Sequence, residues 1–161
     1  MKKLAEKKTN NKGFSLVELI IVVAIMAVLI GVLAPQYMRY LEKTRLQKDN
    51  SAISEIANAI KNAGAEEDVY DEIAATGTTG LVITATHTAN TNQEINLNGS
   101  TKLAGELKIT VGEKVTTTSK AYKTGDAKIT FTATVDSNGL VKVKVSNYID
   151  SVGATAGDKE F

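Results

Sequence analysis

Glu18 has the most unusual setting in this chain of 161 residues: it lies five residues into an apolar run that opens at Phe14, and no charged or strongly polar side chain occurs between Leu19 and Pro35. An unpaired carboxylate in such a run costs roughly several kcal/mol or takes up a proton. Either Glu18 sits near enough to lipid headgroups to stay hydrated, or it meets a cation. Other reactive chemistry is thin. There is no Cys, which excludes a disulfide framework, a thiol nucleophile and thiolate metal sites. The single His, His87, lies among Thr and Asn without a second ligand or a base partner and reads as a bystander. The acidic cluster Glu66-Glu67-Asp68-Val69-Tyr70-Asp71-Glu72 lacks the Gly-centred spacing of a calcium loop and reads as a solvated turn. Asn98-Gly99-Ser100 matches a glycosylation sequon, a triplet common by chance. No nucleophile, base and oxyanion set can be named, so an enzyme is disfavoured and no catalytic residue, metal or cofactor is assigned.

The elements that must position Glu18 come next. Hydrophobic residues make up 43% of the chain but aromatic ones only 5%, so the apolar content is concentrated rather than spread through a large core. It is concentrated in residues 14–35, FSLVELIIVVAIMAVLIGVLAP. As a helix this stretch rises about 33 Å, which matches a hydrocarbon layer of roughly 30 Å. Residues 1–13 hold Lys2, Lys3, Lys7, Lys8 and Lys12 against Glu6, a net +4. Subtracting these from the 19 basic and 18 acidic side chains of the whole chain leaves 14 against 17. A basic flank before an apolar span stays on the cytoplasmic side. No basic stripe suited to a phosphate backbone occurs, so no nucleic-acid site is expected. A cleaved secretory signal would carry its small-residue site after the apolar core. The sequence after Pro35, QYMRYLEKTRLQKDN, is instead charged and helix-forming, so the apolar segment is retained.

Downstream, Leu41, Ile53, Ile56 and Ile60 recur with Ala52, Ala57 and Ala63 at three- and four-residue spacing, which continues the helix over 36–63. Glu42, Arg45, Lys48, Asp49, Glu55 and Lys61 are assigned to its solvent face, and Gly64 to its stop. A helix from Phe14 to Ala63 is about 75 Å long. Gly31 and Pro35 predict a local kink or melting of residues 31–35. After Gly64, strands are expected at Leu81 to Thr86, Glu106 to Val111, Lys128 to Val135 and Leu140 to Tyr148, and Asp136-Ser137-Asn138-Gly139 is a hairpin turn between the last two. The expected fold is α+β, a long N-terminal helix whose amphipathic second half packs on a C-terminal antiparallel meander. Loops are placed near 65–80, 87–104 and 119–127.

Lys12-Gly13-Phe14-Ser15-Leu16-Val17-Glu18, followed by an apolar helix with Pro35, resembles the type IV pilin family, with the resemblance covering roughly residues 1–60. It implies that a prepilin peptidase cuts between Gly13 and Phe14 and methylates the new amino group of Phe14. It also implies that Glu18 docks an incoming subunit by neutralising the Phe14 amine of a neighbour. The resulting divisions are a leader at 1–13, a membrane and polymerisation segment at 14–35, an amphipathic helix half at 36–63 and a globular pilin head at 64–161. The implied partners are further copies of the chain through their N-terminal helices, the peptidase, the cytoplasmic membrane and, indirectly, an assembly platform with motor ATPases. The implied location is first a single-pass precursor in the cytoplasmic membrane, then a filament outside the cell.

The physics agrees with that carry-over. Removing the leader takes away the cytoplasmic charge anchor and leaves one cation and one anion in an apolar layer. At about 4 Å and an effective dielectric near 20 their attraction is on the order of 4 kcal/mol, enough to set register between otherwise featureless apolar helices. The chain departs from many pilins in lacking their C-terminal Cys pair, so residues 149–161 are held by the sheet, held by neighbours, or mobile. Two other readings remain open on sequence alone: a pseudopilin of a secretion or competence system, and a monomeric membrane-anchored binding domain.

Overall fold

The computed structural model describes residues 13–84, 94–96, 101–112, 114–123 and 128–161. The leader up to Lys12, His87 and the Asn98-Gly99-Ser100 sequon lie outside the described residues. The described elements are α1 (Leu16–Ala63), α2 (Glu67–Ala75), a 3₁₀ turn (Gly77–Thr79), β1 (Leu81–Thr84), β2 (Glu94–Asn96), α3 (Lys102–Thr110), β3 (Lys114–Thr116), α4 (Lys120–Lys123), β4 (Thr130–Val135), β5 (Val141–Tyr148) and β6 (Gly157–Glu160). Four strands form an antiparallel sheet in the order β1-β4-β5-β6, and β2 pairs with β3 in a separate two-stranded ribbon. The chain therefore has the expected α+β layout. The meander is β4-β5-β6, with β1 added on the far side of β4. The chain divides into two compact units, one ending at Arg39 and the other running from Tyr40 to Phe161.

In the first unit α1 is the only helix among the described residues. It begins at Leu16 and passes Gly31 and Pro35 without a break, so the expected melting of 31–35 does not occur in the single chain. Pro35 leaves the Gly31 carbonyl one turn earlier without its helical N–H partner, yet the helix continues through it to Ala63.

In the second unit, Ile53, Ile56, Ala57 and Ile60 of α1 are fully buried, as the spacing requires, together with Leu46. They share a core with Phe131 and Ala133 of β4, Val143 and Val145 of β5, Val69 and Ile73 of α2, and Leu103 and Leu107 of α3. The helix ends where Gly64 meets Val141, whose methyl would lie 2.8 Å from any Cβ there. The β4–β5 hairpin forms at the expected four residues. Asp136 Oδ1 accepts the Asn138 and Leu140 amides at 2.8 and 2.9 Å, and Gly139 takes a φ of 78°. These amides, first that of Leu140, and then Lys142 hold the Asp136 carboxyl below its ordinary value.

Three expectations are corrected. Residues 106–111 are not a strand but the end of α3 and its cap. Leu103 and Leu107 point to the core one turn apart, Thr101 accepts the Ala104 amide at 3.1 Å, and Glu72 accepts the Leu103 amide at 3.1 Å. The acidic cluster is not a turn but most of α2. Its Glu67 and Asp68 occupy the first turn, where the helix dipole favours them, and Val69 and Ile73 face inward. Asp49 is not on the solvent face, as its exposure is 2%.

The C-terminal residues are held by the sheet. β6 pairs with β5 through Lys144 opposite Glu160 and Val145 opposite Lys159, and Phe161 donates to the Val143 carbonyl at 2.9 Å. The Lys159 ammonium donates to the Tyr148 hydroxyl at 3.1 Å and lies 4.2 Å from the Tyr148 ring and 5.3 Å from that of Phe161, an arrangement favoured by the negative ring faces.

Candidate docking site at the start of the first helix

The sequence around the start of α1 fixes its own geometry. Ser15 is the residue before the helix and Glu18 stands three residues later, the Ser-x-x-Glu spacing in which the acidic side chain turns back to the orphan amide of the cap. The structure shows that contact: the Ser15 N–H donates to Glu18 Oε2 at 2.9 Å. Glu18 also lies in the first turn, where its charge complements the helix dipole. Its second oxygen, Oε1, has no hydrogen-bond partner among the described residues.

Gly13, Phe14 and Glu18 thus gather at one end of α1, linked through the Ser15 amide, while Gly31 and Pro35 lie within the helix well away from them. Gly13 is exposed with no atom within 4 Å of where a side chain would begin, and Phe14 is 85% exposed. The backbone on both sides of the Gly13–Phe14 bond is thus open to a protein that would grip it. The expected residues did not include Ser15, although the Ser-x-x-Glu spacing was the signal for it.

From Leu16 to Leu33 the large apolar side chains of α1 are all exposed, and the most apolar 18-residue window has a mean hydropathy of 3.1 with none of it buried. This stretch is long and apolar enough to cross a membrane. It is not the core helix of a folded domain.

Two further polar nodes organise the second unit. Asp49 accepts the Thr118 amide at 2.9 Å and the Ser119 amide at 2.7 Å, and so anchors the segment before α4 on α1. Tyr122 donates to Asn50 Oδ1 at 2.9 Å and accepts the Ile149 amide at 3.0 Å, while Asn50 donates to the Ile149 carbonyl at 2.9 Å. Burial raises the Tyr122 phenol well above its ordinary value. Two acidic residues of α2 are engaged structurally, Glu72 in capping α3 and Asp68 in an exposed pair with Lys102 at 3.0 Å.

Comparison with known proteins adds to this geometry. Residues 8–34 match the family described as Prokaryotic N-terminal methylation motif. The chain is 34% identical over 65 residues to the type IV major fimbrial protein FimA of Dichelobacter nodosus, which covers 40% of this chain and 41% of that protein. It is 40% identical over 52 residues to a fimbrial protein of Pseudomonas aeruginosa, covering 32% of this chain and 34% of that one. The chain therefore spans about two fifths or less of the length of these curated relatives. No solved structure matches it.

Proposed function

We propose that the protein, whose residues 8–34 match the N-terminal methylation motif and whose sequence is similar to type IV fimbrial proteins, is a structural subunit, the major one, of a type IV pilus. In this reading a prepilin peptidase cuts the Gly13–Phe14 bond and methylates the Phe14 amine. Residues 1–13 are then the discarded leader, 14–35 the membrane and polymerisation segment, 36–63 the amphipathic half of the helix and 64–161 the head. Before assembly the subunit waits in the cytoplasmic membrane. An assembly platform driven by motor ATPases then passes it into a surface filament that serves adhesion, motility or DNA uptake.

The observation that carries the reading is the capped Glu18. One carboxylate oxygen is occupied by the Ser15 amide, which fixes the side chain at the end of the helix. The other is left for a cation, and the cation that cleavage creates is the Phe14 amine of a neighbouring copy. Burial of both charges among apolar helices makes a mispaired register costly. The exposed row from Leu16 to Leu33 supplies the adhesive surface, facing lipid in the membrane and other copies in the fibre. The naming of the relatives as major fimbrial proteins favours a shaft subunit over a pseudopilin.

Mass spectrometry of material sheared from intact cells tests the proposal. The expected result is an N-terminal peptide that begins at Phe14 with one added methyl group. A protein absent from the sheared fraction whose membrane form still begins at Met1 would overturn it.

A further inference from the structure

The tip of the β4–β5 hairpin carries a reactive pair that neither the docking site nor the core uses. Asn138 and Gly139 are adjacent there, and with Ser137 and Leu140 they are exposed to solvent. The Asn138 side-chain amide has no hydrogen-bond partner among the described residues. Its carbon Cγ and the backbone nitrogen of Gly139 are the two atoms that close a succinimide ring, and glycine leaves that nitrogen unshielded because it has no side chain. The folded turn works against the closure. The Gly139 N–H donates to the Asp136 carbonyl at 3.0 Å, and Asp136 Oδ1 accepts the amides on either side of it, those of Asn138 and Leu140, at 2.8 and 2.9 Å. The Asp136 N–H donates in turn to the Leu140 carbonyl at 2.9 Å. These bonds pin the attacking nitrogen, and they lie at an exposed tip, where local opening costs least.

We infer that Asn138 is a site of spontaneous deamidation, gated by the opening of this turn with Asp136 as its latch. It stands whether or not the chain forms fibres. In the open turn the Gly139 nitrogen gives its proton to solvent and attacks Asn138 Cγ; the new C–N bond forms, the Cγ–Nδ2 bond breaks and ammonia leaves. Water then adds to one carbonyl of the ring and opens it. One opening leaves an aspartate at position 138, the other an isoaspartyl link in which the chain runs through the side chain. Water is the only reagent consumed. The aspartate sets a second carboxylate two residues from Asp136, whose nearby cation is Lys142 at 3.4 Å. The isoaspartyl link adds a backbone carbon to a turn whose bonds span Asp136 to Leu140, so that pairing no longer closes as before. Either product accumulates with the age of the chain and loosens the hairpin from its tip.

The test compares the full chain in detergent, kept folded in mildly alkaline buffer, with the same chain unfolded in guanidinium. Brief trypsin treatment releases residues 129–142, in which Asn138 is the single asparagine, so the mass gain of an NH₂-to-OH exchange in that peptide has one source. The folded chain is expected to convert at a rate at least about tenfold below that of the unfolded chain, the fraction of time the turn stands open. Part of the product is expected to be labelled by an isoaspartyl methyltransferase, the mark of ring opening rather than direct hydrolysis. Asp136→Ala is expected to speed conversion in the folded chain several-fold, and Tyr122→Phe, which weakens the core away from the hairpin, to leave it unchanged. The inference is overturned if folded and unfolded chains convert at one rate, if the folded chain never converts while the unfolded one is consumed, or if no isoaspartate forms. It is equally overturned if Asp136→Ala leaves the rate unchanged, or if Tyr122→Phe speeds it as much, which would place the gate in global unfolding instead of the turn.

Discussion

Glu18 serves two tasks that a single substitution can separate. Its Oε2 closes the helix start on the Ser15 amide, and its charge is proposed to hold a neighbour's amine. Glu18→Gln keeps an oxygen for the amide and removes the charge. The expected outcome is an unchanged membrane pool and at least about a tenfold fall in sheared fibre, since about 1.4 kcal/mol of lost docking energy already gives that factor. Immunoblots of the two fractions check it. Tyr122 belongs to the same scale. Tyr122→Phe strips the Ile149 amide and Asn50 Oδ1 of their partner and is expected to cost about 1–3 kcal/mol, read as a lower melting temperature. The pH dependence follows from the raised phenol. The unfolded phenol ionises near 10.0 and the folded one at higher pH, so its contribution is complete below about 10 and is lost as pH rises beyond it. In Tyr122→Phe that alkaline loss is expected to shrink. Neither Asp49 nor Tyr122 stands out in the sequence, because the groups they bind lie 69 or more residues away for Asp49 and 27 or more for Tyr122.

At the scale of elements, legibility follows the range of the forces involved. The end of α1 at Ala63, the β4–β5 hairpin and the alternation of buried residues in β4 and β5 rest on local signals, namely apolar period, turn chemistry and a glycine stop. The stretch 106–111 reads as alternating because Leu107, Ile109 and Val111 are two apart. It becomes helix because Leu103 and Leu107 together face the core and Glu72, 31 residues back from Leu103, caps the end. β6 carries no strand signal in Asp158-Lys159-Glu160. It exists through β5 and through the rings that flank Lys159. Gly80 is an element-scale constraint of another kind. Its φ of 72° and its contacts with the Thr132 and Thr134 methyls, both 2.7 Å from where a Cβ would sit, let the chain enter β1 against β4. Gly80→Ala is therefore expected to cost on the order of 1–3 kcal/mol and to loosen β1 first, seen as faster hydrogen exchange at the amides of 81–84.

For the whole molecule, the division at Arg39/Tyr40 has an energetic basis. Among the described residues, every buried apolar one lies at or beyond Leu46, and the exposed apolar row lies almost entirely before Tyr40. The second unit therefore owns a complete core, while the first is stable only where its surface is covered by lipid or by other helices. Expressed alone, Tyr40–Phe161 is expected to remain monomeric in water and to unfold in one cooperative transition. Calorimetry and sedimentation would show this, and aggregation or a non-cooperative melt would count against it.

The C-terminal closure carries a last consequence. Where two sulfurs would otherwise join, this chain uses strand pairing and an ammonium lodged between two rings. That closure contains no thiol–disulfide couple. In the proposed fibre the heads stay shut whatever the thiol–disulfide balance around them, and a thiol reductant is expected to leave the melting of the chain unchanged.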